Sequence, residues 1–288
     1  SDASSGEVFA AKDIALNASA PTFRGPWQIE GTGVVNGQVY STKLSTGTPE
    51  ADGRFRSRLI VENEARSFRM DADGELFFGK LPEFDGKIQF SGAAPWPLAD
   101  GMENRPWNFA SAVKIEGRKA ILSSILLDFG QDQGVMKFEG SGDGVLDAGA
   151  GVNLVLSSRQ IDLDASLHVD GQTTSDLRTT LSAWQSALMM GETDLRAPFP
   201  LAVDLQIESI LAGGDTLKNV QLQSLVQSDG VVVKALSAEL PGQGRVSASG
   251  RAGLARGGQF FGHVALDAKD MPRLLGWIEG EISGRSNR

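Results

Sequence analysis

A five-residue unit recurs along this chain: apolar, any, apolar or Ala, any, Gly. It appears as Trp27, Ile29 and Gly31; Met70, Ala72 and Gly74; Val113, Ile115 and Gly117; Met136, Phe138 and Gly140; Val246, Ala248 and Gly250. Period-two spacing sets the first two side chains on one face of a β-strand. Glycine accepts positive φ without a Cβ clash, so the unit predicts a strand that closes in a turn at its glycine. Repetition of the unit builds a long antiparallel sheet with one apolar face. The functional question is what that face is for.

The same rhythm runs through Val39 to Leu44, Arg54 to Val61 and Asp85 to Phe90. Ile121, Ile125, Leu127 and Phe129 alternate with polar or small neighbours, Leu126 excepted, and Val152, Leu154 and Leu156 alternate cleanly. Ile161, Leu163, Ala165, Leu167 and Val169 predict one more strand, with Asp162, Asp164 and His168 opposite. Pro95, Pro97 and Pro106 break the rhythm, so 93–106 is expected to be a boundary or long loop between a β segment at 1–92 and another at 107–288. Helical spacing of Leu177, Leu181, Trp184 and Leu188 predicts a helix near 177–190. A second short helix is expected at 272–279, opening at Pro272 and carrying Leu274, Leu275 and Trp277.

A longer repeat overlies this pattern. Gly74, Phe84, Gly86, Ile88 and Phe90 return as Gly250, Phe260, Gly262, Val264 and Leu266, each 176 residues later. Two related halves are the simplest source of that agreement.

Composition narrows the function. A net charge of -9 and the lack of a basic stripe argue against nucleic acid as a partner. With no cysteine, disulfides, thiolate metal sites and Cys nucleophiles are excluded. His168 and His263 have no partners at metal-ligand or triad spacing. Asp162 and Asp164 share a predicted face, as a carboxylate pair would, but also as the wet side of a strand would. Gly140 to Gly144 lacks the Lys-Ser/Thr of a phosphate loop and reads as a β-turn. No catalytic residue, cofactor or metal is expected.

The C-terminal stretch carries a family cadence. It runs Leu217 to Leu222, Gly230 to Val233, Ala238 to Gly242, Val246 to Gly250, Phe261-Gly262, and Asp270 through Leu275 to Ile278. Leu16 to Pro21, Arg24 to Pro26 and Phe84 to Gly86 add to it. This resembles the AsmA family of bacterial envelope proteins, with TamB-like proteins close by in pattern. The resemblance implies a periplasmic protein of Gram-negative bacteria, anchored to the inner membrane through a segment outside this chain. It further implies an all-β fold: an elongated, curled, taco-like antiparallel sheet with a few short helices, whose apolar groove holds phospholipid acyl chains between the inner and outer membranes. No catalytic residues carry over.

About sixteen strands at ~4.8 Å spacing would extend roughly 75 Å as one ladder. The expected groove lining is Ile121, Ile125, Leu127, Phe129, Val152, Leu154, Leu156, Ile161, Leu163, Leu167, Leu205, Ile207, Leu222, Val264 and Leu266. Phospholipid is the expected partner, with inner- and outer-membrane proteins as further candidates. The rival reading is a scaffold or chaperone for outer-membrane protein assembly, using exposed sheet edges.

Overall fold

The computed structural model describes residues 11–35, 37–98, 101–130, 135–146, 151–166, 177–178, 180, 200–227, 230–253 and 260–279. The fold is all-β. Among the described residues, fifteen strands form a single sheet whose spatial order is the chain order. They are β1 (Ala11–Ser19), β2 (Gln28–Val35), β3 (Gln38–Thr46), β4 (Phe55–Asn63), β5 (Phe68–Phe78), β6 (Pro82–Leu98), β7 (Gly101–Glu116) and β8 (Lys119–Phe129). They continue as β9 (Met136–Val145), β10 (Gly151–Asp162), β11 (Leu201–Ala212), β12 (Asp215–Gln227), β13 (Gly230–Leu240), β14 (Gly244–Gly253) and β15 (Phe260–Ala268). Short helices among the described residues include α1 (Leu163–Ser166) and α2 (Met271–Glu279). Every register defined among the described residues is antiparallel, as the period-two pattern requires.

Four sequence expectations change. First, Gly31, Gly74, Gly140 and Gly250 lie inside β2, β5, β9 and β14 rather than in turns; of the five unit glycines, Gly117 alone has positive φ, at 63° between β7 and β8. The whole run Gly140–Gly144 is likewise strand, not turn. Second, 93–98 and 101–106 are strand rather than one long loop: β6 runs to Leu98 and β7 starts at Gly101. Extended backbone accommodates proline's fixed φ. Residues two apart direct their amides to the same side, so Pro95 and Pro97 remove donors from one edge only.

Third, the strand expected over 161–169 ends at Asp162. Its Oδ1 accepts the Ala165 amide at 2.7 Å, an N-cap that turns the chain helical at Leu163. Fourth, strict alternation is interrupted by bulges. Asp13, Ser124 and Asn219 have φ near 50°, and each sits within apolar-x-x-apolar: Ala11 to Ile14, Leu122 to Ile125, Leu217 to Val220. Val233 to Leu236 repeats the pattern where the β13–β14 register shifts. One extra residue lets side chains three apart share a face.

Of the helix expected at 177–190, Leu177 is described and helical; Leu181, Trp184, Leu188 and Met189 lie outside the described residues. The second expected helix is α2. Asp270 caps it, accepting the Arg273 amide on Oδ1 at 3.1 Å.

Contacts divide the chain into two compact units. Unit 1 is Ser1–Ala93, Pro106–Leu127 and Gly140–Val152; unit 2 is Ala94–Arg105, Asp128–Glu139 and Asn153–Arg288.

Candidate functional site

In unit 1 the registers define the two faces residue by residue. Ala18 pairs with Ile29, Ile29 with Leu44, Leu44 with Leu59, Leu59 with Ala72, and Ala72 with Ile88. Directly paired residues share a face, so these six make one aliphatic row across six strands, about 24 Å long at ~4.8 Å per strand. A parallel row joins Thr42, Val61, Met70 and Phe90. Aromatic rings flank it: Phe68 to Phe90 at 6.4 Å between centroids and Phe90 to Phe109 at 5.8 Å.

The opposite face of the same strands is charged. Arg56 forks onto Asp73 at 3.1 and 3.0 Å, and Arg58 onto Asp71 at 3.0 and 2.7 Å. Arg69 reaches Asp71 at 3.3 Å and also bonds Glu62. Hydrogen bonds from Arg58 hold the Asp71 carboxyl below the usual carboxylate range, against its partial burial, and Arg69 adds to this. Arg56 does the same for Asp73. This ladder locks the register, because a slip of one residue would turn Arg56 and Arg58 onto the apolar face.

Every described strand belongs to the one sheet, so no separate second sheet is described over the apolar face. The consequence shows in burial. Within β1 to β5 no described hydrophobic side chain is fully buried; Ile29, Leu44, Leu59, Val61 and Met70 are all half-buried. Ile14 and Leu16 of β1 are 61% and 70% exposed.

Unit 2 treats its apolar face differently. Met136, Ile161, Ile207, Val220 and Ala238 form a buried cluster, with Leu163 of α1 and Leu205 packed against it. Asp164 anchors that end of the unit. Its Oδ1 accepts the Thr180 hydroxyl at 3.0 Å and the Gly213 amide at 2.8 Å, while Oδ2 accepts the Gly214 amide at 2.8 Å. The Asp162–Asp164 pair is therefore a cap and a turn anchor, with both carboxylates occupied by backbone or hydroxyl donors. From α2, Trp277 Nε1 donates to the Ala212 carbonyl at 2.7 Å and Leu274 is fully buried. On the polar side, Lys137, Glu139, Ser157, Arg159, Gln206 and Glu208 border an open depression of about 630 Å³.

The expected lining residues are distributed unevenly. Ile125, Ile161 and Ile207 are buried. Leu127, Phe129, Val152, Leu154, Leu156, Leu205 and Leu222 are half-buried. Ile121 lies on the other face and is 41% exposed, because the bulge at Ser124 reverses the parity that relates it to Ile125. Leu163 sits in α1 rather than in a strand, and Leu167 lies outside the described residues. Val264 and Leu266 face the apolar side of β15 and are exposed. The row through Ile29, Leu44, Leu59, Ala72 and Ile88 is missing from the sequence-based set. Its signal was present as Ile29 within the first glycine unit and Ala72 within the second.

His263 stands exposed on the polar face of β15, and His168 lies outside the described residues. Among the described residues no group of three or more His, Asp or Glu is placed to hold a metal ion. No described helix is long and apolar enough to cross a membrane. The chain matches no family model, no curated protein and no solved structure.

Proposed function

We propose that this chain is a non-enzymatic lipid-handling protein of the AsmA-like kind. Its apolar sheet face shelters phospholipid acyl chains in the periplasm during transfer between inner and outer membranes. The observation that carries this reading is the aliphatic row from Ala18 to Ile88, half-buried from Ile29 onward, which spans six strands of the single sheet. An apolar row of this extent on a sheet face calls for a cover.

An acyl chain supplies one. A bilayer's hydrocarbon core is about 30 Å thick, so a single leaflet's chains reach roughly 15 Å, within the row's length. Each methylene removed from water contributes roughly 0.8 kcal/mol, without directional demands on the protein. The charged ladder of the opposite face keeps that side in water, and the headgroup stays in solvent at the margin of the apolar face.

The test is transfer of a fluorescent phospholipid from donor to acceptor vesicles. The chain accelerates transfer, and Leu44→Asp with Leu59→Asp abolishes the acceleration while the β-sheet circular dichroism is retained. Equal transfer by the folded double variant would contradict the proposal.

A further inference from the structure

The two edge strands are built differently. On β1, Lys12 stands beside a bulge at Asp13, and both features discourage pairing by another strand. β15 has neither: Phe260–Ala268 contains no Lys and no Pro, and its register with β14 is unbroken over nine residues. Its side chains stay in solvent, with Phe261 69% and Val264 63% exposed.

We infer that β15 is a self-association edge that pairs antiparallel with β15 of a second copy of this chain, centred on Ala265. The β14 register puts His263 and Asp267 on the polar face and Val264 and Leu266 on the apolar face. Antiparallel pairing about Ala265 sets His263 of each copy opposite Asp267 of the other, an imidazole N–H facing a carboxylate. It also sets Val264 opposite Leu266. Symmetry makes each contact twice, as a twofold interface requires. Side-chain faces match throughout, so the apolar face continues across the junction. The inference does not depend on lipid binding.

Sedimentation equilibrium from about 1 to about 200 µM tests it, over the range where a single strand pair would associate. The mass is expected to rise from the 30.5 kDa of one chain toward twice that value. His263→Glu places a carboxylate opposite Asp267 and should weaken association about tenfold or more, whereas His263→Lys retains it. Val264→Glu should abolish association. Within one chain His263 faces Ser249, with Arg251 diagonal to it in the register, so a glutamate there leaves the fold intact. Circular dichroism verifies this. A chain monomeric throughout the range overturns the inference and leaves the edge to a strand of another polypeptide. So does a dimer indifferent to His263→Glu and Val264→Glu, or one lost instead on Asn17→Glu in β1.

Discussion

Gly250 of β14 lies directly opposite Gly262 of β15, and the Phe260 ring fills the space a side chain would take. Phe260 Cζ is 2.7 Å from the point where a Gly250 Cβ would stand, and the Gly262 Cα is equally close. Gly74 and Gly86 repeat the arrangement on β5 and β6, with Phe84 Cζ 2.8 Å from a Gly86 Cβ. The 176-residue repeat in the sequence is thus one structural device used twice: a bare glycine pair covered by an aromatic ring on the same face.

Gly250→Val should destabilise unit 2 by about 2 kcal/mol, because the added atoms meet backbone that cannot withdraw. Gly74→Val should cost a similar amount in unit 1. Urea unfolding of each variant measures both. Wild-type midpoints would show that the pairing is incidental.

Asp164 holds the Thr180 hydroxyl and the two amides of the turn between β11 and β12. Asp164→Ala should cost about 2–3 kcal/mol, since it leaves donors unpaired at a partly buried site. Hydrogen exchange at Gly213 and Gly214 is expected to accelerate before the rest of the sheet.

Two changes in α2 should act in opposite directions. Trp277→Phe removes the donor to the Ala212 carbonyl and should cost about 1 kcal/mol. Gly276→Ala meets nothing within 4 Å and should stabilise the helix by up to about 1 kcal/mol. Thermal unfolding of the two variants reports the sign of each.

The ladder on unit 1 carries a pH signature. Arg58 and Arg69 hold the folded Asp71 pKa below its unfolded value, so folding is favoured by this carboxylate above the unfolded pKa. That contribution is lost as pH falls through the acid range toward the depressed folded value. Asp71→Asn should therefore lower Tm by a few degrees at pH 7, and the difference from wild type should vanish at the acid end. A deficit constant with pH would assign the loss to packing instead.

Period-two alternation made the strands legible, and the Pro272 region made α2 legible, because both signals are local. Ile121 was misplaced because one residue in left-handed conformation at Ser124 reverses the faces, and Leu122-Ser-Ser-Ile125 does not announce this without its relatives Ala11 to Ile14 and Leu217 to Val220. Leu163 was read as strand because Asp162's capping bond outweighs an apolar alternation that otherwise continues. Pro95, Pro97 and Pro106 suggested a boundary or a loop, yet Pro95 and Pro97, two apart in β6, spare one side of that strand, and Pro106 lies within β7. The six-strand row in unit 1 depends on register, which emerges only when Ile29, Leu44, Leu59 and Ala72 are brought side by side.

Native mass spectrometry with lipid extraction, on the purified chain and on a Leu59→Asp, Ala72→Asp variant, tests the central claim most directly. The account predicts phospholipid bound to the wild type and absent from a variant that keeps its β-sheet spectrum. A lipid-free wild type, or a folded variant that still carries phospholipid, would contradict it.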